Sequence, residues 1–173
     1  MSVNYESIVS VIRDTHIVSD TSKLLEPGVM DIKVVSYPRS STHSLYKFDP
    51  ENVDLFPCFS TEPNTGLRDI CDYVLLVDYN ERLYILLFEL KNSNNHNNKA
   101  KKQLDTTDCL LKYIIQSAKR IGKQIDNTHI LIRKILVKEL RVRLTTKMHD
   151  IEYDQYGYVD YPFTDIHIRG LLK

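Results

Sequence analysis

The densest apolar stretch of the chain is interrupted once. Tyr73-Val-Leu-Leu-Val77 and Leu83-Tyr-Ile-Leu-Leu-Phe88 are runs of strand length, rich in β-branched and aromatic residues. Between them lies the polar Asp78-Tyr-Asn-Glu-Arg82, with Asn and Asp available for turn geometry. The pattern predicts a β-hairpin. Helical spacing follows: Leu104, Leu111, Ile114, Ile115 and Ala118 share one face of a helix expected from about Asn98 to Arg120, with Asn97 or Asn98 to cap it. Gly122 and Asp126-Asn127 end that helix. His129 to Val137 is another apolar run of strand length, a second lies near Val142 to Thr145, and Val159 to Ile168 is a candidate edge strand. Near the start, Tyr5, Ile8, Val9 and Ile12 give Val3 to Arg13 the apolar face of a first helix. Prolines at 27, 38, 50, 57 and 63 cut Ser19 to Leu67 into short pieces such as Ile32 to Tyr37 and Ser44 to Phe48. At least one of these should be a strand ahead of the hairpin. Helix, strand, hairpin, helix, strand is the order of an α/β sheet.

The hairpin carries chemistry at its open end. A turn centred on Asn80 and Glu81 sets Asp72 directly across from Glu89, with Cβ atoms roughly 5 Å apart. A two-residue slip keeps both acids on one face, whereas a one-residue slip separates them. Lys91 shares the face of Glu89, and Leu90 points the other way. Two carboxylates that close repel each other unless a cation sits between them, and apolar surroundings sharpen the penalty. Mg²⁺, or Mn²⁺ in its place, suits one or two acidic ligands completed by water and substrate phosphate. Such an ion activates water and neutralises charge on a phosphate, while a neighbouring lysine stabilises the transition state. Phosphodiester hydrolysis is the reaction class this favours.

Asp72, a spacer, Glu89-Leu90-Lys91 closing an apolar strand, and a basic helix after it resemble the core of the PD-(D/E)xK nuclease superfamily. The resemblance spans mainly residues 69 to 120. It implies a restriction endonuclease-like αβββαβ core, a mixed central sheet flanked by helices. It further implies Asp72 and Glu89 as metal ligands, the Leu90 carbonyl as a third ligand and Lys91 as the catalytic lysine. The family's proline is replaced by Cys71, at a position that is commonly degenerate. RecB-like members carry a glutamine on the following helix, which would be Gln103; a plain glutamine at the helix boundary is the other reading. Some members use a glutamate from the first helix, a position Glu6 would fill. A rival Asp31-Ile32-Lys33 opens another β-rich run but lacks a preceding apolar strand headed by an acid.

Composition sets the outer limits. With 173 residues, 42% of them hydrophobic, the chain suits one well-buried nuclease-like domain over 1–173 rather than two. No run approaches the roughly 18 apolar residues of a membrane span, and the first residues lack the charged and apolar regions of a signal peptide. A soluble, cytoplasmic protein is expected. Cys58, Cys71 and Cys109 form no Cys-x-x-Cys pair and read as buried or half-buried thiols, and the six histidines show no zinc-ligand spacing. Net charge is zero, which argues against indiscriminate grip on polyanions. Local clusters still matter. Lys99, Lys101 and Lys102 at the helix start are candidate nucleic-acid contacts, and Arg133, Lys134, Lys138, Arg141, Arg143 and Lys147 make the later third basic. The polar run Asn92 to Asn98 between strand and helix reads as a solvated connector or a phosphate-facing loop.

Two functions of different class follow. One is a Mg²⁺-dependent nuclease acting on DNA rather than RNA, its specificity supplied by a homodimer, a partner subunit or nucleic-acid structure; the resemblance adds prokaryotic defence or repair. The other is a catalytically inactive nuclease-like module that binds nucleic acid or a protein partner. For that module, Tyr153, Tyr156, Tyr158 and Tyr161 would suit an interface.

Overall fold

The hairpin turn falls where the polar interruption puts it. Asn80 and Glu81 take positive φ angles of 51° and 62°, the left-handed pair of a two-residue turn whose twist matches the strands. The computed structural model describes residues 1–28, 30–48, 58–59, 67–91, 97–138, 151–161 and 165–173. Strand β4 (Tyr73–Tyr79) pairs antiparallel with β5 (Arg82–Lys91), and Tyr73 faces Phe88. Both strands are buried on both faces, which is why they read as unbroken apolar runs rather than alternating ones.

Around this hairpin the sheet is mixed. β3 (Thr42–Tyr46) joins β4 antiparallel; β6 (Ile130–Lys138) joins β5 in parallel, and β7 (Tyr158–Tyr161) joins β6 in parallel. The order is β3-β4-β5-β6-β7. A parallel return needs a crossover, and α2 (Asn97–Arg120) supplies it between β5 and β6. Its Leu104, Leu111 and Ile115 pack with Tyr5 and Ile8 of α1 (Val3–Val9) on Val74, Leu76, Leu83, Ile85 and Leu87. The chain is therefore α/β, with both longer helices on one face.

A second sheet covers the opposite face. β1 (Lys23–Glu26) pairs antiparallel with β2 (Met30–Ser36), which pairs in parallel with β8 (Asp165–His167). Leu24, Ile32, Val34 and Ile166, with Ile168 and Leu171 of the short α3 (Ile168–Leu171), close over Tyr73, Leu75, Val77, Leu86 and Phe88. The mixed central sheet is as expected; a second sheet, which the expectation did not include, covers this face together with α3. On this side, alternating apolar positions of short strands provide the cover that a helix would otherwise give.

Other boundaries moved for local reasons. The first helix stops at Val9, and its last turn tightens: Val11 N–H bonds to Ile8 O and Ile12 N–H to Val9 O, which keeps Ile12 buried. The single edge strand expected over Val159 to Ile168 is two strands in two sheets, β7 and β8. The run near Val142 to Thr145, Arg141, Arg143, Lys147, most of the Asn92 to Asn98 stretch and the prolines at 50, 57 and 63 lie outside the described residues. Among the described residues no helix is long and apolar enough to cross a membrane.

Candidate functional site

Asp72 immediately precedes β4, so the ladder that pairs Tyr73 with Phe88 brings it level with Glu89. The backbone N–H of Leu90 donates to Asp72 Oδ2 at 2.6 Å. An extended residue turns its N–H and C=O to the same side, and the Leu90 carbonyl is thereby turned toward Asp72 as well. Alternation puts Asp72, Glu89 and Lys91 on the helix-covered face, in line with Val74, Leu76, Ile85 and Leu87. Lys91 lays its ammonium against Glu89 Oε1.

This end of the hairpin is an enclosed corner. Glu89 has 0% of its side chain exposed, and Lys91 20%. Apart from the Lys91 contact, neither Glu89 oxygen has a hydrogen-bond partner of good geometry among the described residues. Burial, with Asp72 adding its charge, pushes the Glu89 carboxyl up to about 8 although Lys91 opposes the shift. Burial also raises Asp72, to about 6, against the pull of the Leu90 N–H and of Lys91. Glu26 and Lys47, themselves paired at 3.6 Å, act on Asp72 with opposite signs.

The central helix is latched to the segment that delivers Asp72. Gln103 Nε2 donates to Ile70 O at 3.3 Å, and its Oε1 is buried without a partner among the described residues. One turn on, the Thr107 hydroxyl donates to Gln103 O and accepts the Cys71 N–H, both at 2.8 Å. Gln103 thus touches the backbone two residues before Asp72, so it belongs with the residues that position the acid. Thr107 went unnoticed in the sequence. Its spacing of four from Gln103, which puts both on one helix face, was the available signal.

Several candidates are not brought to this corner. Glu6 is exposed on α1, whose Tyr5 and Ser2 bond to Ser44 and Asp78, toward the turn end of the hairpin. Asp31 and Lys33 of the rival motif both face solvent on β2. Lys99, Lys101 and Lys102 are exposed on the first turns of α2, where Lys101 lies 5.3 Å from the centre of the Tyr158 ring. Cys71 is buried, and burial pushes its thiol up, as a core residue; Cys58 and Cys109 are exposed, contrary to the half-buried thiols expected. Cys109 sits on the outer side of α2, away from the apolar stripe.

The C-terminal tyrosines are mostly spent on packing. Tyr153 donates to Leu171 O, Tyr158 to Asp105 and Tyr161 to Asp165 O, and Tyr156 is the one of the four that is exposed.

Comparison with family models, with curated proteins and with solved structures found no match.

Among the described residues no three His, Cys, Asp or Glu side chains gather. Protein side chains therefore offer a cation two carboxylates, with the Leu90 carbonyl on the same side. That donor set, hard oxygens with most of the shell left to water and substrate, fits Mg²⁺ or Mn²⁺ and would not make a closed cage. Glu89, enclosed and with only the Lys91 ammonium against its Oε1, is the group whose charge a cation would relieve.

Proposed function

We propose that this chain is a divalent-metal-dependent nuclease, hydrolysing phosphodiester bonds in DNA rather than RNA. The observation that carries this reading is one buried corner where Asp72 and Glu89 share a face, both carboxyls are raised, and Lys91 stands against Glu89. Supporting it, once β1 and β2 of the second sheet are set aside as an insertion between α1 and β3, the elements α1, β3, β4, β5, α2 and β6 come in the αβββαβ order of the PD-(D/E)xK superfamily, with β3 to β5 antiparallel and β6 parallel to β5. The resemblance also suggests prokaryotic defence or repair.

Asp72, Glu89 and the Leu90 carbonyl would hold the ion, which would supply an activated water and charge neutralisation at phosphate. The residues themselves do the rest. With both carboxyls raised, Asp72 and Glu89 would have to give up protons to serve as ligands. Lys91, beside Glu89, would donate to a phosphate oxygen as negative charge grows there. Leu90 N–H keeps Asp72 from turning away.

A second reading has one observation in its favour. The Glu89–Lys91 pair already neutralises itself inside the protein, as it would in an inactive nuclease-like module that binds nucleic acid or a protein partner. Incubation with plasmid, single-stranded DNA and RNA separates the two. The lanes carry Mg²⁺, Mn²⁺ or chelator, and Glu89→Gln and Lys91→Ala run beside the wild type. Cleavage lost in chelator and in both variants supports the enzyme; the same background in every lane supports the module.

A further inference from the structure

Lys91 has a second ammonium beside it at the carboxyl-terminal end of the parallel strands. Lys138 of β6 is its partner in register, so the two side chains leave neighbouring strands about 4.8 Å apart on the same, helix-covered face. The row continues onto β7. There Asp160, level with Leu136, accepts from Lys138 Nζ through Oδ2 at 2.6 Å. Each cation has its own carboxylate, but the two carboxylates differ. Glu89 is enclosed, whereas the Asp160 side chain is 63% exposed over a Lys138 that is 12% exposed.

An exposed acid is a weak counter-ion, because water competes for it and salt screens it. Two like charges on adjacent strands also repel. A phosphodiester, with two non-bridging oxygens and a full negative charge, answers both lysines better than Asp160 answers one.

We propose that Lys138 is a phosphate-binding residue of this site: it takes an oxygen of the nucleic-acid backbone in exchange for Asp160, which holds the side chain in place until substrate arrives. The proposal rests on the reading of Asp72, Glu89 and Lys91 as a phosphodiester site, and it adds Lys138 and Asp160 as determinants of substrate affinity.

The test uses the full chain and a 5′-fluorescein-labelled DNA duplex and its single strand, with Ca²⁺ replacing Mg²⁺ so that binding is read without cleavage. Anisotropy titrations compare wild type with Lys138→Ala, Lys138→Arg and Asp160→Asn across a range of NaCl. Lys138→Ala should bind about tenfold more weakly, the loss expected for one charge-assisted contact. Its salt slope should be shallower by about one. Lys138→Arg should stay close to wild type, and Asp160→Asn should bind more tightly. In Mg²⁺, Lys138→Ala should raise KM and leave kcat within about threefold of wild type.

A plain β6–β7 salt bridge predicts something else: Lys138→Ala and Asp160→Asn would change stability alike and affinity not at all. That result overturns the proposal, as does a wild-type protein that binds neither oligonucleotide. Should Lys138→Ala fail to fold, the tighter binding expected of Asp160→Asn still decides, with Lys138→Arg as its near-wild-type control, and an Asp160→Asn that binds as wild type overturns the proposal. Binding through Lys138 without cleavage removes the hydrolytic reading and leaves this contact standing. Cleavage that is indifferent to Lys138 removes this proposal alone.

Discussion

Leu90 and Asp72 are joined across the open end of the hairpin: the N–H of one donates to Oδ2 of the other at 2.6 Å. The bond fixes an acid that stands outside the regular strand, and it does so with the backbone of the residue between Glu89 and Lys91. Asparagine at this position keeps an acceptor for Leu90 but loses the charge. Asp72→Asn should therefore melt within a few degrees of wild type and lose metal-dependent cleavage. Asp72→Ala strands the N–H, at a cost of about 1–3 kcal/mol, and should unfold at lower urea. An alanine variant as stable as asparagine would show that the bond contributes little.

Acid titration reads the enclosed pair directly. Glu89 titrates near 8 in the folded chain against an ordinary 4.5, and Asp72 near 6 against 3.8. The folded state thus holds protons that the unfolded state has released. Stability from this source is complete below about pH 4, declines as pH rises toward 8, and changes no further above that. Metal-free protein should accordingly melt at falling temperature from about pH 5 to pH 8. Glu89→Gln should flatten most of that decline. A melting temperature in wild type that rises through the same window would contradict the assignment.

Cation binding must expel those protons. Isothermal titration of Mg²⁺ near pH 7, in buffers of different ionisation enthalpy, should detect release of about one proton per site. Mg²⁺ should also raise the melting temperature of wild type and leave Glu89→Gln unmoved. Heats independent of the buffer would argue for a cation bound elsewhere or not at all.

Removal of Lys91 leaves a buried carboxylate without its ammonium. Breaking such a pair costs about 3–5 kcal/mol when the remaining charge cannot be neutralised. Protonation offers Glu89 an escape at low pH, so Lys91→Met should be close to wild type at pH 5 and clearly weaker at pH 8 in urea unfolding. The double variant Glu89→Gln/Lys91→Met should recover much of that loss. A cost for Lys91→Met that is equal at both pH values would mean that Glu89 is not the group left exposed to it.

Thr107 offers a test of positioning rather than charge. Valine is similar in shape but leaves the buried Cys71 N–H without its acceptor, an expected cost of about 1–3 kcal/mol. Because that N–H belongs to the residue before Asp72, Thr107→Val should also weaken Mg²⁺ binding, whereas Thr107→Ser should restore both. If stability drops and metal affinity does not, the latch is purely structural.

Much of the scaffold was legible before any coordinates. The apolar runs 73–77 and 83–88 and the Asn-Glu centre of the turn specify the hairpin and its register, because a turn with two left-handed residues permits one pairing and side-chain alternation then assigns each face. The stripe Leu104, Leu111, Ile115, Ala118 likewise determines α2 and its buried side. From the letters alone it follows that Asp72, Glu89 and Lys91 can meet. Tertiary structure decided what those letters leave open. Lys23–Glu26 pairs with the strand that follows it, but Asp165–His167 is a strand only because β2, more than a hundred residues earlier, pairs with it, so no local pattern announces the three-stranded second sheet. Whether Glu89 meets water or protein depends on which elements close over its strand end. Thr107 and Lys138 matter through neighbours 36 and 22 residues away, Cys71 and Asp160. Periodicity encodes the face a side chain takes within its own element, and only packing determines what stands across from it.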